Sequence, residues 1–465
     1  MKPREFVPGI YSVGVVDWDR RLFDSLIPLP DGTSYNAYLI KGSEKTALID
    51  SVDRKMPEIL LNNLDLLSIK RLDYIITNHA EPDHSGAIPQ VVAKYPEAQI
   101  VCTLRCKDLL IDLFHLAPEK FRTVNDLETV SLGNRTIEFI HAPWVHWPET
   151  MLTYLREEKI LFSCDFFGSH IATSDLYVTD EGRVYEAAKR YYAEIMMPFR
   201  AQIKNNLEKI KGYEIKIIVP SHGPMYGKPD FIIHAYREWV YDEPKNFVVI
   251  PYISMHGSTK KMVDYLVSSL ALKGVTVQQF DMSAVDSGKL AMSLVDAGTI
   301  VLGTPTVLVG PHPLMAYAAV LANALKPKAK YASIIGSYGW GTKAVDTLAS
   351  LIPNLKVEII PPVICKGQPR EADYLALEKL AETIARKHEE SGFKYHISCH
   401  SRVAGIQYCR VGESQDETHP IYFVIQSEDG IQSLLPLSFL RRQESIKCGA
   451  KSLTSSRTNH YYCPV

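Results

Sequence analysis

Along the first 240 or so positions, short apolar runs alternate with helical patterns. "YNAYLIKG", "TALIDSV", "DYIITNH", "AQIVCT", "RTIEFIHA", "MLTYLRE", "KILFSCD" and "IKIIVPSHG" are such runs, rich in β-branched and aromatic residues. That composition predicts strands. Several of them stop at a His or Asp, where loops following strands commonly carry chemistry. "DFIIHAYREWVYDEPKN" predicts a helix running into a polar linker that Pro244 ends. The first domain is therefore expected over residues 1–242.

Beyond the linker the pattern changes. "FVVIPYI", "VTVQQFD", "GTIVLGTP", "YASIIGSY" and "KVEIIPPV" are separated by helical patterns. This alternation predicts a doubly wound parallel five-stranded sheet over residues 246–392. "EADYLALEKLAETIARKHEE" keeps apolar residues at three- and four-residue spacing and predicts the closing helix. From about residue 393 no sustained period remains, G-I-Q occurs twice, and half of the cysteines gather. Residues 393–465 are expected to be an irregular tail. "SFLRRQES" resembles a translated bacterial intergenic repeat, so the tail reads as readthrough rather than evolved structure.

A chain of 465 residues is too long for one ordinary core, in keeping with two domains and a tail. A formal net charge of −2 argues against nucleic acid or a membrane surface as partner. No apolar run reaches the roughly 18 residues of a membrane span, and the N-terminus lacks the apolar core of a signal peptide. The 8 cysteines include no C-x-x-C, which argues against an appended rubredoxin or zinc ribbon and suits a reduced, cytoplasmic setting.

The chemistry concentrates in "TNHAEPDHSG", where His79, Glu81, Asp83 and His84 occupy a loop after a buried strand. In an extended segment, positions 79, 81 and 83 would point one way and converge on a single point. Ser85 and Gly86 offer a helix start. Alone, such a stretch reads as a solvated turn. His146 in "APWVHWPET", Asp165 in "ILFSCDFFG" and His222 in "IIVPSHGP" change that reading. Each follows a strand, and Asp165 lies between apolar flanks, a costly place for an unpaired carboxylate. A binuclear metal site explains all of them together. Three carboxylates and three imidazoles form a hard, anionic ligand set that favours iron over zinc.

The order H-x-[HE]-x-D-H, then His, Asp and His, is that of the metallo-β-lactamase superfamily. Its hydrolases typically have His at the second position, where this chain has Glu81. The variant H-x-E-x-D-H, with His146, Asp165 and His222, resembles the flavodiiron proteins. The resemblance implies an α/β chain: a metallo-β-lactamase-like αβ/βα sandwich followed by a flavodoxin-like domain. It implies that His79, Glu81 and His146 bind one iron, that Asp83 and His222 bind the other, and that Asp165 bridges. His84 is expected near the pair but not among its ligands.

The resemblance also demands an FMN site. "FVVIPYISMHGSTKKMVDYL" is strand, loop and helix, with Ser254, Met255, His256, Gly257, Ser258 and Thr259 at the turn. Backbone N–H groups and hydroxyls at a helix start suit a phosphate. The loop matches neither G-x-G-x-x-G nor G-x-x-x-x-G-K-[ST], so NAD and nucleoside triphosphates are poorly supported. Two further strand-end loops carry Thr304, Pro305 and Thr306, then Ser337, Tyr338, Gly339, Trp340 and Gly341. Loops at this edge of a doubly wound sheet build ligand sites.

What the resemblance implies is reduction of O2 to water, of NO to N2O, or both, at a diiron site fed by FMN. It implies rubredoxin or a similar small electron donor, and a head-to-tail homodimer or a dimer of dimers. Trp144, Trp147, Tyr191 and Tyr192 are aromatic candidates for the surroundings of the iron pair. Two other readings remain at this point. One is a zinc hydrolase carrying a flavodoxin domain; the other is a non-catalytic sensor or electron-transfer module.

Overall fold

The computed structural model describes residues 2–395, 409–411, 422–426 and 432–436. The chain divides into two compact units, Met1–Cys399 and His400–Val465.

The first unit opens with two sheets. Seven strands run in the order Arg4–Val7, Ile10–Ser12, Tyr38–Lys41, Thr46–Ile49, Tyr74–Ile76, Gln99–Cys102 and Phe121–Thr123. Five more run Thr129–Ser131, Thr136–His141, Met151–Leu155, Ile160–Cys164 and Ile217–Pro220. Alternation along each strand explains their packing. Tyr38, Ile40, Ala47, Ile49, Tyr74 and Ile76 meet Phe139, Met151, Phe162 and Val219 of the other sheet in one core. The residues between them, Leu39, Leu48 and Ile75, face the helices Pro57–Leu66, Ile88–Lys94 and Leu104–Phe114. Both faces of these central strands are thus buried, which is why the sequence shows nearly continuous apolar runs there.

The strand Lys245–Tyr252 starts a second, largely parallel sheet. Its main order is Thr276–Asp281, Lys245–Tyr252, Thr299–Val307, Tyr331–Tyr338 and Glu358–Ile359, with Val363–Lys366 also pairing with Tyr331–Tyr338. The same alternation recurs: Val248, Ile250 and Val301 pack with the helices Ser258–Leu272 and Glu371–Glu390. Val249, Ile300 and Leu302 join the opposite cluster, which also holds Tyr191, Met196, Tyr236 and Trp239 of the sandwich. The two modules therefore share one hydrophobic cluster.

Buried ion pairs frame that contact. Lys189 Nζ lies 2.6 Å from Asp296 Oδ2, and the Arg190 guanidinium forks onto Asp286 at 2.8 and 2.6 Å. Glu194 lies beside Arg190 at 3.9 Å. Burial pushes its carboxyl up to about 8, against the opposing pull of Arg190. The folded state holds this proton while the unfolded chain gives it up near pH 4.5, so stability falls as pH rises through that interval and is flat above 8. Glu194→Gln is therefore expected to raise the melting temperature more at pH 8.5 than at pH 5, read by thermal unfolding at both.

Two expectations about the C-terminal region change. Lys394–Tyr395 pairs parallel with Lys245 and Asn246, so the second sheet reaches past residue 392. The tail is not wholly irregular: Cys409–Val411, Tyr422–Gln426 and Gln432–Pro436 form an antiparallel three-stranded sheet. Runs of three to five residues are too short to show a sustained period. The rest of the tail, including "SFLRRQES" and with it the readthrough reading, lies outside the described residues. No helix among the described residues is long and apolar enough to cross a membrane.

Candidate metal centre and flavin cradle

The strand Tyr74–Ile76 delivers the chain to Asn78, whose backbone N–H and side-chain amide both donate to Asp50, at 2.8 and 3.0 Å. This anchor fixes the start of the ligand loop. The segment is not extended through position 83, as the alternation argument required. Glu81 caps a one-turn helix, Pro82–Ser85, with Pro82 opening it and Gly86 closing it. Proline suits the first helical position because its missing N–H would have no helical partner there. The helix start is thus Pro82, ahead of the expected Ser85 and Gly86.

This turn splits the donors. His79, Glu81, His146 and Asp165 form one group, and Asp83, His84 and His222 form a second. Glu81 Oε2 lies 3.0 Å from His79 Nε2 and 3.1 Å from His146 Nε2. Asp83 Oδ2 lies 3.2 Å from His222 Nε2. Asp165 stands between the groups. Its Oδ2 is 3.5 Å from both His79 and His146, while its Oδ1 is 3.0 Å from His84 and 3.4 Å from His222. All six expected residues meet in one buried place.

His84 departs from expectation. The helical turn swings its Nε2 to 3.4 Å from Asp83 Oδ2 and 3.0 Å from Asp165 Oδ1, a donor position rather than a bystander's.

The donor set fits a pair of cations. Both Asp83 oxygens, Asp165 Oδ2 and both His84 nitrogens are buried without a partner in hydrogen-bond geometry, a costly arrangement unless a cation satisfies them. The electrostatics agree. Burial opposes charge on His146 and His222, yet the facing carboxylates raise them to about 9 and about 10. Burial likewise opposes ionisation of Asp165, but His84, His146 and His222 hold it well below the usual carboxylate range. Carboxylates that demand this much positive charge suit metal ions, which displace protons from such rings.

Around the donors, His222 Nδ1 faces the Ser34 carbonyl at 2.6 Å, and Gly223, at φ +80°, donates to Ser34 Oγ at 2.8 Å. Tyr191 Oη donates to Asp165 Oδ1 at 2.8 Å, while burial and that carboxylate push its own pKa well up. Tyr192 is packing: its ring lies against Tyr236 and Trp239. Trp147 sets its edge against His79, and Trp144 stacks on Phe199, half-exposed. Sequence reasoning missed His170 and Glu149. His170 is buried against His222 and Tyr191, its Nδ1 2.9 Å from Thr33 Oγ1. Its one sequence signal is its place five residues after Asp165. Glu149 is fully buried, 2.7 Å from His79 Nδ1.

The three predicted flavin loops share one edge of the parallel sheet, on adjacent strands. Gly257, at φ +83°, starts the helix Ser258–Leu272, and Ser254 Oγ accepts from Lys260 N at 3.2 Å. Thr259 Oγ1 lies 3.3 Å from Ser337 Oγ, and Thr306 Oγ1 lies 2.8 Å from Thr342 Oγ1. Thr304 and Pro305 pair with Gly336 and Ser337, the last strand residues before Tyr338. Gln368 Nε2 reaches the His256 carbonyl at 3.4 Å and ties in a fourth loop. A Cβ added at Gly257, Gly339 or Gly341 would meet open space. Met255 and Trp340 stand exposed at the loop tips, Trp340 at 79%. The edge is a cradle with a helix start, clustered hydroxyls and an exposed aromatic, which fits a phosphate joined to a flat ring.

Comparison with known proteins agrees. Residues 33–223 match the family model described as ODP family beta lactamase. The chain is 36% identical over 395 residues to the nitric oxide reductase of Moorella thermoacetica, covering 83% of this chain and 99% of that protein. It superposes on the rubredoxin oxygen:oxidoreductase of Desulfovibrio gigas with a TM-score of 0.80 at 31% identity, over 84% of this chain and 99% of that one. On the flavodiiron protein of Giardia intestinalis the TM-score is 0.78 at 29% identity, over 84% and 99%. The donor set, the doubly wound second sheet and these similarities over nearly the full length of each relative lead to one assignment: the chain belongs to the flavodiiron proteins.

Proposed function

We propose that this chain reduces O2 to water, NO to N2O, or both, with iron held by His79, Glu81, His146, Asp83, His84 and His222. Asp165 bridges the two positions, and FMN sits in the cradle of Ser254–Thr259, Thr304–Thr306 and Ser337–Gly341. The observation that carries the reading is Asp165, one carboxylate with an oxygen toward each of two adjacent donor groups. The relatives named nitric oxide reductase and rubredoxin-oxygen oxidoreductase support the substrates and a rubredoxin-type donor.

When bound, the iron pair supplies the place and electrons for the gas, and FMN supplies further electrons. The balance is O2 + 4 H⁺ + 4 e⁻ → 2 H2O, or 2 NO + 2 H⁺ + 2 e⁻ → N2O + H2O. The protein's own part is positioning and proton handling. Glu81 replaces a neutral imidazole with a charge and keeps the first position suited to iron. Tyr191 keeps its proton on Oη and directs it at Asp165 Oδ1, which holds the bridging carboxylate in place. His170, whose pKa burial pushes well down, stays neutral beside His222 and adds no charge to compete with the metals. We place the protein in the cytoplasm, a reduced setting that suits the buried free thiols Cys102, Cys106, Cys164 and Cys365 among the described residues. A head-to-tail homodimer would bring one subunit's flavin to the other's iron.

The test is elemental analysis and a visible spectrum of the purified chain. About two irons and one FMN per chain are expected, as the donor groups and single cradle require. A colourless protein, or one holding zinc and hydrolysing esters, would contradict the reading.

A further inference from the structure

The two metal positions share Asp165 but differ in what stands behind their imidazoles. Behind His79 is Glu149: its Oε1 lies 2.7 Å from His79 Nδ1 and accepts the Ala80 N–H at 3.0 Å. The Glu149 carbonyl accepts from Thr103 Oγ1 at 3.0 Å, which fixes this residue's backbone. Behind His222 is a neutral group, the Ser34 carbonyl, at 2.6 Å from Nδ1. Both arrangements hold the proton on Nδ1 and leave Nε2 for a metal.

The difference is charge. A carboxylate places a full negative charge against the ring, and a carbonyl places only a dipole there. In a buried site that charge is poorly screened. Glu149 Oε2 has no hydrogen-bond partner, and the Ala80 N–H that shares Oε1 is neutral, so the carboxylate's net charge still faces His79. Its Oε1 faces two N–H groups, His79 Nδ1 and Ala80 N, an arrangement that suits an ionised carboxylate.

We infer that Glu149 is a positioning residue that makes the two metal positions unequal, turning His79 into the stronger donor so that the His79–Glu81–His146 position binds its ion more tightly and favours the higher metal charge. Were iron bound there, which rests on the function proposed above, the position of Asp83, His84 and His222 would be the more easily reduced of the two and the position backed by Glu149 the less easily reduced. The relation is local, and it links the sequence "HWPET" to a division of labour between two metal sites that otherwise draw on the same residue types.

The test is a cobalt(II) titration of the metal-depleted full-length chain, followed through the visible bands of the bound ion, with a stepwise reductive titration of the iron-loaded chain beside it. Glu149→Gln keeps the shape and an acceptor oxygen for His79 while removing the charge. The wild type is expected to show two cobalt affinities about 10- to 100-fold apart, the usual cost of losing such a partner. In Glu149→Gln the tighter one weakens toward the other, and the two iron reductions move together. Glu149→Asp, which retains the charge, is expected to keep the affinities apart. Cobalt affinities equally far apart in wild type and Glu149→Gln overturn the inference. If Glu149→Gln does not fold, equal cobalt affinities in the wild type overturn it, and unequal affinities that Glu149→Asp preserves support it. A wild type that binds two cobalt ions unequally but takes up no iron sinks the iron reading and leaves this inference standing.

Discussion

Replacing Asp165 by asparagine is expected to abolish gas reduction while leaving the flavin in place. Asp165 is the one side chain with an oxygen toward each donor group, and it is fully buried. Asparagine would offer one neutral oxygen and direct N–H donors toward imidazoles that need their Nε2 lone pairs for metal. Four histidines would then face one carboxylate fewer in a dry site, and the remaining donors would offset less of the metals' charge and hold them more weakly. Iron is expected to fall to one per chain or fewer, with turnover down at least about 10³-fold, roughly 4 kcal/mol of barrier. Iron analysis with a gas electrode reads both. Because the flavin loops lie on the other sheet, FMN content should not change. A variant that keeps two irons and a normal rate would remove Asp165 as the bridge.

The second large effect is expected from Glu81→His, which restores the residue found in the hydrolases of the superfamily. Glu81 caps the short helix without a side-chain capping bond, so the backbone does not depend on its carboxylate. What the substitution removes is the charge that lies 3.0 and 3.1 Å from His79 and His146. A first position of three imidazoles and one shared carboxylate is softer and less anionic, and it shifts preference from iron toward zinc. Zinc has no redox step to offer, so gas reduction should drop to background while the protein stays folded and yellow. Metal analysis after expression with both metals supplied reads the outcome. Full iron content at a normal rate would show that the letter at position 81 does not set the metal.

Much of this centre is legible in the sequence because strand ends are. "DYIITNH", "KILFSCD" and "IKIIVPSHG" each bury both faces of a strand and then end on a polar residue. The runs Lys245–Tyr252, Thr299–Val307 and Tyr331–Tyr338 after the linker are legible because they too bury both faces. The split of the loop into two donor groups was not legible from alternation, because Pro82 starts a helical turn where an extended segment was expected. That turn also brings His84 inward. Glu149 and His170 escape sequence reasoning for a different reason. Their partners, His79 and Thr33, lie 70 and 137 positions away, and only packing brings them together. The strands Arg4–Val7 and Ile10–Ser12 are too short, and too exposed on one side, to carry a clear period.

The most direct measurement is consumption of O2 and of NO, each supplied separately, by the chain loaded with two irons and one FMN and driven by reduced rubredoxin. At least one gas is predicted to disappear catalytically, with water or N2O as product, and loss of either cofactor should stop it. Fully loaded protein that accepts electrons from the donor yet consumes neither gas would contradict the account.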